Sequence, residues 1–277
     1  IRTVAGLVAA DLDDVTQVLG RTVGERLHQQ ARLQVFEREG GGPAYELLPP
    51  EAGKGLLRLP EPDAGDVYLD FEGDPFADAA GREYLAGLWD RGGSFTTWWA
   101  HSPAEEKALI EGLIDELMRR WAASPSMHIY HYAAYERTKL QALTARHATR
   151  EAELDQILRA ELLVDLYAVV RQGVRISKPS YSIKKLEDFY WGQVRHGVDA
   201  EVADALSSVV EYERWIVDQD PQILERIAAY NREDVRSTHD LHAWLEERRS
   251  ELAAVGYELD RPQLGRVEEV TEAERAE

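Results

Sequence analysis

The chain has 277 residues, room for one sizeable domain and an appendage, and carries a formal net charge of −19. It contains no cysteine, which excludes a disulfide framework and any thiolate zinc site. No apolar run approaches the roughly 20 residues that span a bilayer, so no membrane partner is expected and the composition fits a soluble, cytoplasmic protein. The chain starts at Ile1 rather than at Met, which is read as a segment cut from a longer protein.

Residues 1–37 carry apolar positions at helical spacing, among them Val4, Leu7, Val8, Val15, Val18, Leu19, Val23 and Leu27. They predict a small helical hairpin, with Arg21–Gln34 as its longer arm. Gly40-Gly41-Gly42-Pro43 ends this pattern, and the stretch from Pro49-Pro50 to Pro62 reads as an extended connection. The predicted organisation is thus an appendage and linker over 1–62, a main domain over 63–248 and a charged tail over 249–277.

The main domain opens with Val67-Tyr68-Leu69-Asp70-Phe71-Glu72, which alternates as a strand does. Val67, Leu69 and Phe71 share one face; Tyr68, Asp70 and Glu72 share the other. Two acids at i and i+2 project side by side, close enough to hold two divalent cations about 3.5–4 Å apart. Oxygen ligands of this kind suit Mg²⁺ or Mn²⁺. The alternative is a solvated polar face. Next come the strands Tyr84–Trp89 and Ser94–Ala100, joined by Asp90-Arg91-Gly92-Gly93, a hairpin signal. A helix is predicted over Pro103–Trp121 and a strand over Met127–Tyr132, which passes directly into a helix over Tyr135–His147. Glu136 falls in the first turn of that helix, where the helix dipole alone would explain a carboxylate.

Residues 178–190 read as a loop entering a helix capped by Ser182. Lys184 and Lys185 at that end could grip a phosphate backbone, and the Tyr181 ring could stack on a base; a plain amphipathic helix is the alternative. The last long helix starts at Asp220-Pro221, an N-cap followed by proline at the first helical position, and should run to about Arg248. Ile223, Ile227, Tyr230, Asp234, Leu241 and Leu245 fall on one seam of it. Asp234 therefore stands in a stripe that faces the core, where an acid is costly unless it is paired or bound to metal. His128, His131, His239 and His242 lack a zinc-site pattern and are read as packing or surface histidines.

In order, spacing and context, Asp70-x-Glu72 on a strand, Tyr135-Glu136 at a helix start and Tyr230-x-x-x-Asp234 on the last helix resemble the DEDD 3′–5′ exonucleases of the ribonuclease H-like superfamily. Tyr230 in place of histidine points to the tyrosine subclass, in particular the branch found in large bacterial proteins beside RecB-like nuclease and helicase modules. The resemblance implies an α/β fold: a central mixed sheet, its first three strands antiparallel, flanked by helices and preceded by the small helical appendage. It implies that Asp70, Glu72 and Asp234, with Glu136, hold two divalent cations, Mg²⁺ or Mn²⁺, around the scissile phosphate. Tyr230 would orient the attacking water, and the substrate would be single-stranded nucleic acid, DNA before RNA, in processing or repair. The family usually has Asp where this chain has Glu136, and Asp165 competes for that role.

The charge argues the other way, since phosphate backbones favour basic surfaces. Bound metal would neutralise part of it, much of the excess lies in segments such as 267–277, and neighbouring modules could hold the strand. Local basic patches are expected around Arg137-Lys139 and Lys184-Lys185. Two other readings stand beside the exonuclease: a non-catalytic module that binds nucleic acid or a partner, and a phosphodiesterase acting on small oligonucleotides.

Overall fold

The computed structural model describes residues 1–77, 79–192 and 205–262. The acidic stretch 267–277 lies outside the described residues. Two compact units emerge, and neither is continuous in sequence.

The first unit comprises Ile1–Leu59, Tyr167–Gly192 and Asp240–Asp260. Its N-terminal part is helical as expected, but it forms three helices, α1 (Val4–Val8), α2 (Leu12–Leu19) and α3 (Arg21–Phe36). The extra breaks are local. Asp11 accepts from the Asp13 amide and starts α2, while Gly20, at φ +80°, ends it. A short strand, β1 (Tyr45–Leu47), follows, and the connection predicted to be extended makes a 3₁₀ turn at Gly55–Arg58. That turn exists because Leu56 and Leu59 are buried, so the linker is packed rather than spanning solvent.

The second unit comprises Pro60–Leu166, Gln193–His239 and the residues from Arg261. It contains β2 (Val67–Asp74), β3 (Arg82–Asp90), β4 (Phe95–Trp99), α4 (Pro103–Ala123), β5 (Ile129–His131), α5 (Tyr135–His147), α6 (Glu151–Arg159) and β6 (Leu163–Asp165). Returning to the first unit, α7 (Leu166–Gly173), β7 (Val174–Ile176) and α8 (Ile183–Tyr190) follow, with β7 antiparallel to β1. The second unit is completed by α9 (Ala205–Asp218) and the first half of α10 (Pro221–Ala254); from Asp240 onward α10 belongs to the first unit.

The five strands of the second unit run in the order β4–β3–β2–β5–β6. β2, β3 and β4 are antiparallel neighbours, while β5 and β6 join parallel to β2. This is the mixed sheet expected from the sequence. Alternation along β2 sorts its side chains as predicted: Val67, Leu69 and Phe71 enter the main core with Leu109, Ile110, Leu113, Ile114 and Leu117 of α4 and with Leu140 and Leu143 of α5. On the opposite face Tyr68 stacks on Tyr130 of β5 at 5.3 Å and meets His239 of α10 edge-on at 5.0 Å. That face carries Asp70 and Glu72, so the packing of α10 against β2 determines what the two acids meet.

The start of β2 is anchored by buried polar groups. Asp66, fully buried, accepts from the backbone amides of Asp63 and His128 at 2.8 Å each, which ties β2 to the strand beside it. Burial pushes the Asp66 carboxyl up to about 6, and burial pushes the neighbouring His128 imidazole down to about 4. His128 is therefore neutral in the fold, and its Nδ1 has no hydrogen-bond partner. Its folded pKa lies below its ordinary value near 6.5, so the stability it contributes is present above pH 6.5 and lost as pH falls toward about 4. Compared with the wild type, His128→Gln should thus gain in melting temperature on going from pH 7.5 to pH 4.5. Thermal denaturation followed by circular dichroism at both pH values checks this; an unchanged difference would show that His128 does not titrate in this range.

Candidate metal centre

Asp70 and Glu72 stand on the α10 side of β2, and Asp234 lies in the seam of α10 that carries Ile223, Ile227 and Tyr230 inward. Their carboxylate oxygens come within 4.8 Å of one another. Among the described residues this is the one group of three or more acids or histidines close enough to hold an ion. A β-bulge between Glu72 and Gly73 shifts the register against β3 just past the second acid, a common way of aiming a side chain beside a site.

Glu136 reaches the same place from α5. The turn that delivers it is strained: Ala133 has φ +69°, a left-handed conformation that costs a non-glycine residue roughly 1–2 kcal/mol. Two bonds hold it there. The Ala133 amide donates to Asp165 Oδ1 at 3.0 Å, and His131 Nδ1 donates to the Ala133 carbonyl at 2.7 Å. Glu136 is buried, and its carboxyl lies within hydrogen-bonding reach of Asp70. Glu136 faces Asp70, whereas an oxygen of Asp165 is engaged by the turn beneath.

The electrostatics follow from this crowding. The Asp70 carboxyl is held well above the usual carboxylate range, first by burial and then by Glu72, Asp234 and Glu136. Burial also raises Glu136, opposed by His131, whose Nδ1 lies 3.4 Å from Glu136 Oε2. Since that nitrogen's hydrogen goes to Ala133, Glu136 Oε2 is left buried without a donor. A set of hard oxygen donors with excess negative charge and a donorless buried oxygen fits a divalent cation.

Two residues that the sequence reading passed over adjoin Asp70. Asn231, fully buried on α10, donates from Nδ2 to Asp70 Oδ2 at 2.7 Å. Gly87 is paired in register with Asp70 on β3 and lies against the same amide. Asn231 sits inside the quoted motif, but nothing in a single sequence separates it from the variable positions there.

Tyr230 is buried one turn from Asp234, as the seam predicted. Tyr181, Ser182, Lys184 and Lys185 all lie in the first unit. The Tyr181 hydroxyl donates to the Val174 carbonyl at 3.0 Å. Ser182 occupies the N-cap position of α8 but makes no side-chain cap bond; its carbonyl accepts from the Lys185 and Leu186 amides instead. The expected patch at Arg137-Lys139 is altered too, because Lys139 Nζ lies 2.5 Å from buried Glu83.

A mixed five-stranded sheet with three antiparallel strands, two parallel additions and an acid cluster on its helix-covered face defines a ribonuclease H-like domain. A family model of the RNase H superfamily, RNase_H_2, matches residues 67–246, and the chain belongs to that family. A search of curated proteins returns no match. The superfamily generally hydrolyses phosphodiester bonds using divalent metals, and the cluster is compatible with that chemistry. No helix among the described residues is long and apolar enough to cross a membrane.

Mutual repulsion in the cluster predicts two effects of opposite sign. Without metal, Asp70→Asn should melt at or above the wild-type temperature, because one charge leaves the cluster. With Mn²⁺ at a hundred times its dissociation constant, the wild type should gain about 2.7 kcal/mol while Asp70→Asn gains little. Scanning calorimetry with and without Mn²⁺ reads both, and an equal metal-induced shift in the two proteins would exclude Asp70 as a ligand.

Proposed function

We propose that the domain is a DEDD-type 3′–5′ exonuclease of the tyrosine subclass, acting on single-stranded nucleic acid, DNA before RNA. The observation that carries this reading is the convergence of Asp70, Glu72 and Asp234 within 4.8 Å, inside the region matched by the family. Glu136, buried against Asp70, completes the set of four acids.

Asp70, Glu72 and Asp234, with Glu136, would hold the divalent cations, Mg²⁺ or Mn²⁺. Such cations, when bound, lower the pKa of water and stabilise charge on a phosphate and its leaving oxygen. The remaining work falls to the chain itself. Tyr230, on the helix that carries Asp234, is assigned to orient the attacking water through its hydroxyl. The carboxylates fix the donor positions, with Glu72 buried and Asp70 and Asp234 half-buried. Tyr181, Ser182, Lys184 and Lys185 are assigned to base and backbone contacts. With a chain this acidic, binding of a long strand is assigned in part to neighbouring RecB-like and helicase modules of a longer cytoplasmic polypeptide.

The test is digestion of single-stranded DNA and RNA, labelled at the 5′ or the 3′ end, with Mg²⁺ or Mn²⁺. Stepwise shortening from the 3′ end is expected. Loss of a ligand removes several kcal/mol of charge stabilisation, so Asp70→Ala and Asp234→Ala should each reduce the rate about a hundredfold or more. Wild-type cleavage no faster than that of the variants would replace the enzyme with a binding module. Activity confined to di- and trinucleotides would make it an oligonucleotide phosphodiesterase.

A further inference from the structure

Asp70 lies among three other carboxylates, Glu72, Asp234 and Glu136, and must keep one orientation to serve any ligand. A carboxylate in such company rotates unless a donor holds it. Asn231 supplies that donor. It is fully buried on α10, three residues before Asp234, and its Nδ2 reaches Asp70 Oδ2 at 2.7 Å.

The sheet is cut to fit this amide. Asn231 Oδ1 has no hydrogen-bond partner and fills the space above Gly87, the residue paired with Asp70 across β2 and β3. A Cβ on Gly87 would lie 1.7 Å from that oxygen and 3.0 Å from the Phe95 ring. The first distance is far inside contact, and the atom struck belongs to a short side chain on a packed helix. The backbone of Gly87 is not left-handed, so conformational freedom does not account for a glycine here. The space does.

We infer that Asn231 is the positioning residue for Asp70, and that Gly87 is its complement on the neighbouring strand, leaving the room that lets the amide reach the carboxylate. This rests on the reading of the cluster as a divalent-cation site. An amide suits the role because it donates without adding charge: a lysine would neutralise the site, and another acid would add to the repulsion. Groups that orient metal ligands in this way typically change cation affinity about 10–100-fold when removed.

The experiment is direct titration of the protein with Mn²⁺, by calorimetry and by the electron paramagnetic resonance of the free ion, without nucleic acid. The proteins compared are the wild type, Asn231→Ala, Gly87→Ala, the double variant and Ile227→Ala, each below its melting temperature. Ile227 is buried one turn before Asn231 on the same helix, in an apolar cluster with Tyr84, Leu85 and Tyr212, so its loss loosens the packing without removing a polar group. Asn231→Ala and Gly87→Ala should each weaken Mn²⁺ binding about 10–100-fold, with Ile227→Ala near wild type. The double variant should bind no worse than the weaker single variant, since without the amide the new methyl has nothing of Asn231 to displace.

Wild-type affinity in Asn231→Ala would overturn the inference, as would an equal loss in Ile227→Ala, which would make the effect one of general loosening. Additive losses in the double variant would show that Gly87 does not act through Asn231. Should Asn231→Ala fail to fold, Gly87→Ala, which keeps every polar group, carries the test. A wild type that takes up no Mn²⁺ would instead bring down the cation-site reading itself, and the inference with it.

Discussion

Repulsion among Asp70, Glu72, Asp234 and Glu136 is the constraint that the second unit must satisfy. Two like charges about 4.8 Å apart, at an effective dielectric near 20, oppose each other by about 3 kcal/mol; Glu72 and Asp234 lie within that distance of Asp70, and Glu136 adds to their effect. No local sequence preference would gather them. They are brought together because each is fixed to an element whose position is decided elsewhere. β2 is held by the apolar side of its own alternation, with Val67, Leu69 and Phe71 against α4. α10 is held by Ile223 and Ile227 beside Tyr84, Leu85 and Tyr212. The acids are carried by residues that would pack equally well without them.

The same division explains what could be read in advance. Period-two alternation placed β2 and assigned its faces, and the seam from Ile223 to Leu245 placed Asp234 inward, because burial of one face is a property of consecutive residues. The Asp90–Gly93 turn placed the hairpin through its own residues, an Asp and two glycines that suit a tight reversal. Glu136 against Asp165 was not decidable from the chain. What the sequence hides there is a left-handed Ala133, a conformation with no signature in alanine, and the bond from its amide to Asp165. Asn231 and Gly87 are hidden more deeply still. Each is meaningful only through the other, across 144 residues, and an Asn within a helix or a Gly within a strand carries no sign of its partner.

The acidic charge takes on a different meaning once its partners are known. Several cations near the sheet are engaged by the chain's own buried acids: Lys139 by Glu83, Arg91 by Asp66, and Arg146 by Glu106. These acids lock strands and helices together. Glu106, for example, also accepts from the Glu83 amide at 2.8 Å and so holds α4 to the start of β3. Lys139, which looked available for phosphate, is thus a structural counter-ion that also lies 4.9 Å from the centre of the Tyr135 ring.

With these cations engaged internally, three means of holding a polyanion are left: ions bound at the acid cluster, the lysines proposed at the start of α8, and basic surface supplied by another chain or module. The first is short-ranged and acts at one phosphate. It would give such a domain selectivity for a reacting position with little affinity for the length of a strand. For the proposed exonuclease that separation is physically sensible, because strong backbone binding would slow each advance along a shortening end. It also means that weak binding of long nucleic acid by this chain would say little about its chemistry, whereas cation binding at Asp70 bears on it directly.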